Sequence, residues 1–301
     1  MSQNLPTPHG MPAAEVAIDL ALVCRLIAQQ LPKLAHLPVR YLATGWDNEV
    51  YRLGEDLLIR LPRRKLAEEL GGREREWLPT LSTATGLDVG APVFSGQPTA
   101  EYPFTFSVCS YVSGVSAATL KRAERDEYAV DFTRYLQRLH LPAPADAPRS
   151  DFRGLALVEL ETRTRAQILQ LPRSIQAIAL RIWDEATSAE AYAGAPRWLH
   201  GDPHPHNTIA ASESGTHALA GLVDFGDLCA GDPASDLGMF WLHFTPQTRD
   251  LALGEYGVQA GDPMWRRARG WALRYTMIIC GLDACDPLGA IGRETLELIF
   301  E

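Results

Sequence analysis

Residues 197–210 read RWLHGDPHPHNTIA. Three histidines, an aspartate and an asparagine fall within positions 200–207, between two apolar runs. Three readings are open: a histidine metal nest, a catalytic loop, or a Pro-stiffened turn. A metal nest would use His200, His204 and His206, with the last two on one face of a strand. Pro203 and Pro205 break the regular strand or helix geometry that such a nest would use. Asp202 and Asn207 are the more telling pair.

An aspartate followed five residues later by an asparagine has the spacing of a kinase catalytic loop. There the aspartate accepts the proton of the attacking hydroxyl and the asparagine ligates Mg²⁺. Alone, this match recurs by chance. It gains weight from Asp224 in GLVDFGD, residues 221–227, where an apolar strand delivers a carboxylate into a Gly-containing turn. Facing Asn207, that carboxylate makes the hard oxygen site that Mg²⁺ takes while phosphates fill its other positions. A third piece, AGDPASDLGMF at 230–240, starts a helix at Asp232-Pro233. Asp236 on its first turn is placed to hold the loop by accepting backbone hydrogen bonds.

Taken in order, HGDPHPHN, LVDFGD and GDPASDL resemble the aminoglycoside phosphotransferase family, related to choline kinases and more distantly to protein kinases. The resemblance spans roughly residues 40–290. It implies an α+β, bilobal, protein-kinase-like fold, and ATP- or GTP-dependent phosphorylation of a small-molecule hydroxyl with Mg²⁺. Carried over by position, Asp202 is the catalytic base, and Asn207 and Asp224 are the metal ligands. His200 matches the family's loop histidine, a shaping residue. No GxxxxGK[ST] occurs, so this is not a P-loop enzyme. The first hairpin, ATGWDNEVYRLG at 43–54, fits the loop that covers the phosphates, with the backbone N–H groups of Asp47 and Asn48 facing them. An ordinary hairpin turn is the competing reading. The third strand, LLIRLP, carries Arg60 where the family more commonly has lysine. Arginine also grips phosphate, through a fixed charge and a bidentate fork. Its acidic partner on the next helix is Glu74, with Glu76 as the alternative. The connector CSYVSG matches the adenine-reading hinge, through the Ser110 carbonyl and the Val112 N–H.

Composition limits what else the protein is. The 301 residues are 46% hydrophobic and 22% charged, which suits one large domain or two lobes. A net charge of -9 argues against nucleic acid as the main partner. The start, MSQNLPTPHGMPAA, lacks the basic and apolar segments of a leader. No run is long enough to span a membrane. The expectation is a cytoplasmic monomer or weak dimer. Five scattered cysteines without a CxxC pair suggest reduced, mostly buried thiols.

Along the chain, 13–31 has helical periodicity and stops at Pro32. Three strands with two turns fill 38–64, a charged helix 65–81, and two strand-like pieces follow, APVFSG and YPFTFSVCSYVSG. ATLKRAERDEYAVDFTRYLQRLH reads as one amphipathic helix. Two further helices occupy roughly 156–193. RWLH, NTIA and ALAGLVDF read as short strands, and the chain from Pro233 as mostly helical. This places a nucleotide-binding lobe at 1–111 and a helical lobe at 112–301, with ligands in a cleft between them. The acceptor site falls to 150–195 and 240–301. Asp283, Asp286 and Glu297 are candidates for a polycationic antibiotic, and Trp241, Trp265, Trp271 and Tyr275 for a macrolide, against surface and core roles respectively. A homoserine- or choline-type metabolite kinase, a nucleotide-binding pseudokinase and a zinc hydrolase are the rival functions.

Overall fold

The computed structural model describes residues 12–213, 215–283 and 285–300. Most of the polar start weighed above as a leader lies outside them. The chain divides into two compact units, Met1–Val112 and Ser113–Glu301.

The first unit is built on five antiparallel strands: β1 Val39–Thr44, β2 Asn48–Leu53, β3 Leu57–Pro62, β4 Pro92–Gly96 and β5 Phe106–Ser110, in the order β1-β2-β3-β5-β4. Helix α1, Leu20–Gln30, buries Leu22, Val23, Leu26 and Ile27, one apolar stripe at helical spacing. It joins Tyr51, Leu53, Ile59, Leu61, Phe106 and Val108 in one core. Each such side chain contributes about 1.5–3 kcal/mol on burial. The helix opens at residue 20 rather than 13 because extended Asp19 caps it, its Oδ1 accepting from the Leu22 N–H at 2.7 Å. Helix α2, Lys65–Thr85, follows β3 directly and buries Ala67, Glu74, Leu78 and Leu81.

The second unit is mainly helical. A three-stranded sheet pairs β6 Val115–Ser116, β8 Thr208–Glu213 and β9 Thr216–Leu222, and a two-stranded one pairs β7 Arg197–Leu199 with β10 Cys229–Gly231. Around them lie α3 Arg122–Arg125, α4 Ala129–Leu139, α5 Glu161–Ile168 and α6 Arg173–Thr187. The later helices are α7 Ala234–Leu237, α8 Phe240–His243, α9 Pro246–Tyr256, α10 Pro263–Ile279 and α11 Pro287–Leu298. The single helix read across 118–140 is instead broken, with 3₁₀ turns at Ala117–Thr119 and Asp126–Tyr128. Buried Arg122 and Arg125 explain the break. They donate to the carbonyls of Trp241, Phe244 and His243 at 2.7–2.9 Å, and these tertiary bonds override helical propensity. Of the cysteines, only Cys109 and Cys229 are buried, while Cys24 and Cys285 are exposed. The expectation of mostly buried thiols is corrected accordingly. No described helix is long and apolar enough to cross a membrane.

Candidate active site

The loop after β7 is held by its own side chains. The His200 Nδ1 accepts from the Asp202 N–H at 3.2 Å, and the His204 Nδ1 from the Asn207 N–H at 3.3 Å. The Asn207 Nδ2 donates to the Asp202 carbonyl at 3.0 Å, which leaves its Oδ1 as the atom available to a cation. Three anchors fix the loop from outside. Fully buried Asp236 accepts from the N–H groups of His200, at 2.8 Å, and Gly201, at 3.0 Å, and lies 3.1 Å from the His140 Nε2. Buried His243 bonds the Pro203 carbonyl at 2.9 Å through Nε2, and the Tyr128 hydroxyl at 2.9 Å through Nδ1. Burial holds the His243 ring well below the usual histidine range, so it stays neutral. The His200 Nε2 meets the Val223 carbonyl at 3.1 Å, and its ring packs on Phe225, 4.2 Å between centroids.

Gly201 is required by both conformation and space. Its φ is +86°, and a Cβ there would lie 2.3 Å from the Asp227 carbonyl oxygen. Gly201→Ala is expected to cost about 1–3 kcal/mol of stability. Chemical denaturation reads this directly, and an unchanged midpoint would refute the constraint.

Asp224 follows the β8–β9 pair. The Val223 N–H donates to the Asn207 carbonyl at 2.9 Å, so the residue before Asp224 is bonded to the loop asparagine. The strand read as continuing to Phe225 ends at Leu222. Asp224 leaves it in the left-handed region, φ 64°, where it stands alone among the described non-glycine residues, and it is exposed. The Val223–Asn207 bond thus ties the turn that carries the Asp224 carboxylate to the backbone of the loop asparagine, and a carboxylate and an amide oxygen are both hard donors. The donor set fits Mg²⁺, which takes few protein ligands and leaves positions for phosphate. The three histidines do not converge. His200 and His204 face the loop backbone, and the His206 Nε2 lies 3.2 Å from Asp286. Among the described residues no group of three His, Cys, Asp or Glu side chains forms a metal cage.

Two residues in this region went unread in the sequence. The Arg153 Nη2 lies 3.1 Å from the Asp202 Oδ1 and 2.9 Å from the Asp227 Oδ2, and its Nε donates to the same Asp227 oxygen at 3.0 Å. Its guanidinium sits 5.0 Å over the ring of Tyr275, whose hydroxyl bonds the Ser235 Oγ at 2.8 Å. Burial would raise the Asp202 carboxyl, but Arg153, with help from His204 and His200, holds it below the ordinary value. Burial dominates at Asp227 and pushes it up. One guanidinium thus serves two unequal carboxylates. Asp227 could have been found as the last residue of VDFGD, whereas Arg153, just after the Pro- and Ala-rich stretch LPAPADAPRSD at 141–151, carries no motif.

In the first unit, the Arg60 Nη1 donates to both carboxyl oxygens of Glu74, at 3.0 and 2.8 Å. Glu74 is 4% exposed, so the pair is largely desolvated and its geometry is fixed. Glu76 is exposed. In the β1–β2 turn the Asp47 Oδ1 accepts from Arg64 at 2.7 Å, and the Asn48 carbonyl accepts from the Gly45 N–H at 2.8 Å. Ser110 ends β5, and the Tyr111 N–H donates to the Asp56 carbonyl at 2.8 Å. The β4–β5 pairing stops at Cys109, so Ser110 lies past its last pair, and Val112 lies beyond the end of β5.

Trp241, Trp271 and Tyr275 are buried core residues. Asp283 and Glu297 are exposed, and Asp286 is half-buried against His206.

One unit built on an antiparallel sheet with an Arg–Glu pair, and a second, helical unit with a braced Asp–Asn loop, are the parts of the kinase-like architecture of small-molecule phosphotransferases. The chain belongs to the phosphotransferase enzyme family typified by aminoglycoside phosphotransferases, whose family model matches residues 38–271. It is an enzyme of the small-molecule kinase type, with an alcohol group as acceptor. No curated protein sequence matches the chain. Solved structures share the fold. The GDP complex of wild-type aminoglycoside 2'-phosphotransferase-IIIa is 17% identical, with a TM-score of 0.69 over 94% of this chain and 99% of that one. The GDP and kanamycin complex of APH(2")-IIia is 19% identical, with a TM-score of 0.68 over 93% and 98%. Apo macrolide 2'-phosphotransferase MphH from Brachybacterium faecium is 18% identical, with a TM-score of 0.61 over 94% and 98%.

Proposed function

We propose that the protein transfers the γ-phosphoryl group of ATP or GTP to a hydroxyl of a small molecule, an aminoglycoside or macrolide antibiotic. The observation that carries the reading is the braced loop, in which Asn207 spends its amide N–H on Asp202 and keeps its oxygen for a cation, next to strained, exposed Asp224. Asn207 and Asp224 would hold Mg²⁺, which neutralises phosphate charge when bound. Asp202 accepts the proton of the acceptor hydroxyl. The acceptor oxygen then bonds to the γ-phosphorus as the bond to the β–γ bridging oxygen breaks, and the nucleoside diphosphate leaves. Arg60, held by Glu74, grips the α- and β-phosphates, and amides of the 45–48 turn add to that grip. The Ser110 carbonyl and Val112 N–H read the base of the nucleotide. The first unit is thus the nucleotide-binding lobe and the second carries the catalytic, metal and acceptor groups. The antibiotic class rests on the aminoglycoside and macrolide enzymes that share the fold.

The experiment is a panel of aminoglycosides, macrolides, choline and homoserine. Diphosphate release is scored with MgATP and MgGTP, against Asp202→Ala as blank. Release driven by an antibiotic supports the reading. Release driven only by choline or homoserine replaces it with a metabolite kinase, and binding without release with a pseudokinase. Arg60→Ala is expected to raise the nucleotide KM about tenfold or more, since charge-assisted phosphate bonds are each worth about 1.5–3 kcal/mol. Arg60→Lys should recover part of that, and an unchanged KM in both would remove Arg60 from the phosphate site.

A further inference from the structure

Asp202 needs more than proximity to act as a base. A carboxylate turns readily about its last torsion, so its orientation must be set by partners. Among the described residues the side chain of Asp202 has two close partners, and they differ in kind. Arg153 holds Oδ1 at 3.1 Å, within hydrogen-bonding range. The His204 Nε2 stands 3.4 Å from Oδ2, too long for a good bond, so that oxygen keeps its lone pairs.

Arg153 is itself fixed from several directions. Asp227 takes two of its nitrogens, and Tyr275 lies beneath its plane, tied to Ser235 and stacked on Trp271 at 5.6 Å. The next residue, Gly154, pins the backbone. Its φ is +66°, its carbonyl accepts from the Asp232 N–H at 2.9 Å, and a Cβ would lie 2.6 Å from Leu199. The guanidinium is therefore braced before any acceptor arrives.

We infer that Arg153 is a positioning residue for phosphoryl transfer, which, anchored by Asp227, clamps the Asp202 Oδ1 and leaves Oδ2 to take the acceptor proton. This rests on the reading of Asp202 as the base. The clamp costs Asp202 some proton affinity. That cost is tolerable where the base chiefly orients the nucleophile. It also gives a cationic side chain, far from the loop in sequence, a direct hold on the reacting group.

The test measures diphosphate release from MgATP and MgGTP by the intact chain, with water and with each panel acceptor, in wild type and in Arg153→Ala, Arg153→Gln, Asp227→Asn and Asp202→Asn. Arg153→Ala is expected to lower turnover about 10–100-fold, as misaligned reacting groups do, with the nucleotide KM within about twofold. Millimolar guanidinium should restore turnover several-fold in Arg153→Ala but not in Asp202→Asn, a recovery that a purely structural role would not give. Asp227→Asn should show a smaller loss and add little to Arg153→Ala, because the two act as one unit. Arg153→Gln carries the same test should the alanine variant fail to fold. Full turnover in the Arg153 variants, or a loss that tracks melting temperature without guanidinium recovery, overturns the clamp. Full turnover in Asp202→Asn, or a wild type that releases no diphosphate, instead overturns the reading beneath it.

Discussion

Asp202→Asn is expected to lower turnover by about 10²–10⁴-fold while nucleotide still binds, the range that loss of a positioned general base produces. The asparagine keeps the shape and accepts from Arg153 through its amide oxygen, so the loop should hold its fold. What it removes is the oxygen that, on the proposed mechanism, takes the proton. Nucleotide binding by calorimetry, beside single-turnover transfer, separates the two effects. A variant that binds MgATP or MgGTP as wild type does and transfers at the wild-type rate would remove Asp202 from the chemistry.

Asp236→Ala should have the largest effect on stability, although this residue is not placed in contact with substrate. The carboxylate is fully buried and meets the N–H groups of His200 and Gly201 and the His140 ring. Truncation strands those donors inside the protein. Breaking a buried charged contact of this kind costs about 3–5 kcal/mol. Urea unfolding should show that loss as a lower midpoint at an unchanged slope. A loss below about 1 kcal/mol, the worth of one ordinary hydrogen bond, would mean that water replaces the carboxylate.

Much of this was legible in the sequence, because short-range chemistry dictates it. The three strands of 39–62 follow from Gly and Asp-Asn turns between apolar runs, and they form where expected. The order HGDPHPHN, VDFGD, GDPASDL was enough to identify the family. Asp236 was readable as a brace because a carboxylate on a first helical turn beside the motif has few other uses. Other features depend on contacts between distant residues. Nothing near Arg125 announces that its guanidinium bonds the His243 carbonyl and interrupts a helix. Arg153 has no local signal, since its partners lie far along the chain in sequence. The histidines drew attention as possible ligands, yet burial and backbone bonds turn two of them into parts of the loop's own scaffold.

The chain from Tyr128 through His243 to the Pro203 carbonyl has a thermodynamic consequence. The entropy needed to set the proposed base in place is lost once, when the second unit folds, and not again at each turnover. A free loop would have to be ordered by its substrate, and part of the acceptor's affinity would be consumed in doing so. Here the ordering is done by a neutral ring and a phenol in the interior, well before any hydroxyl arrives. Acceptor affinity is then left for discrimination among acceptors, so acceptor range can drift through substitutions elsewhere in the helical unit while the transfer geometry stays the same.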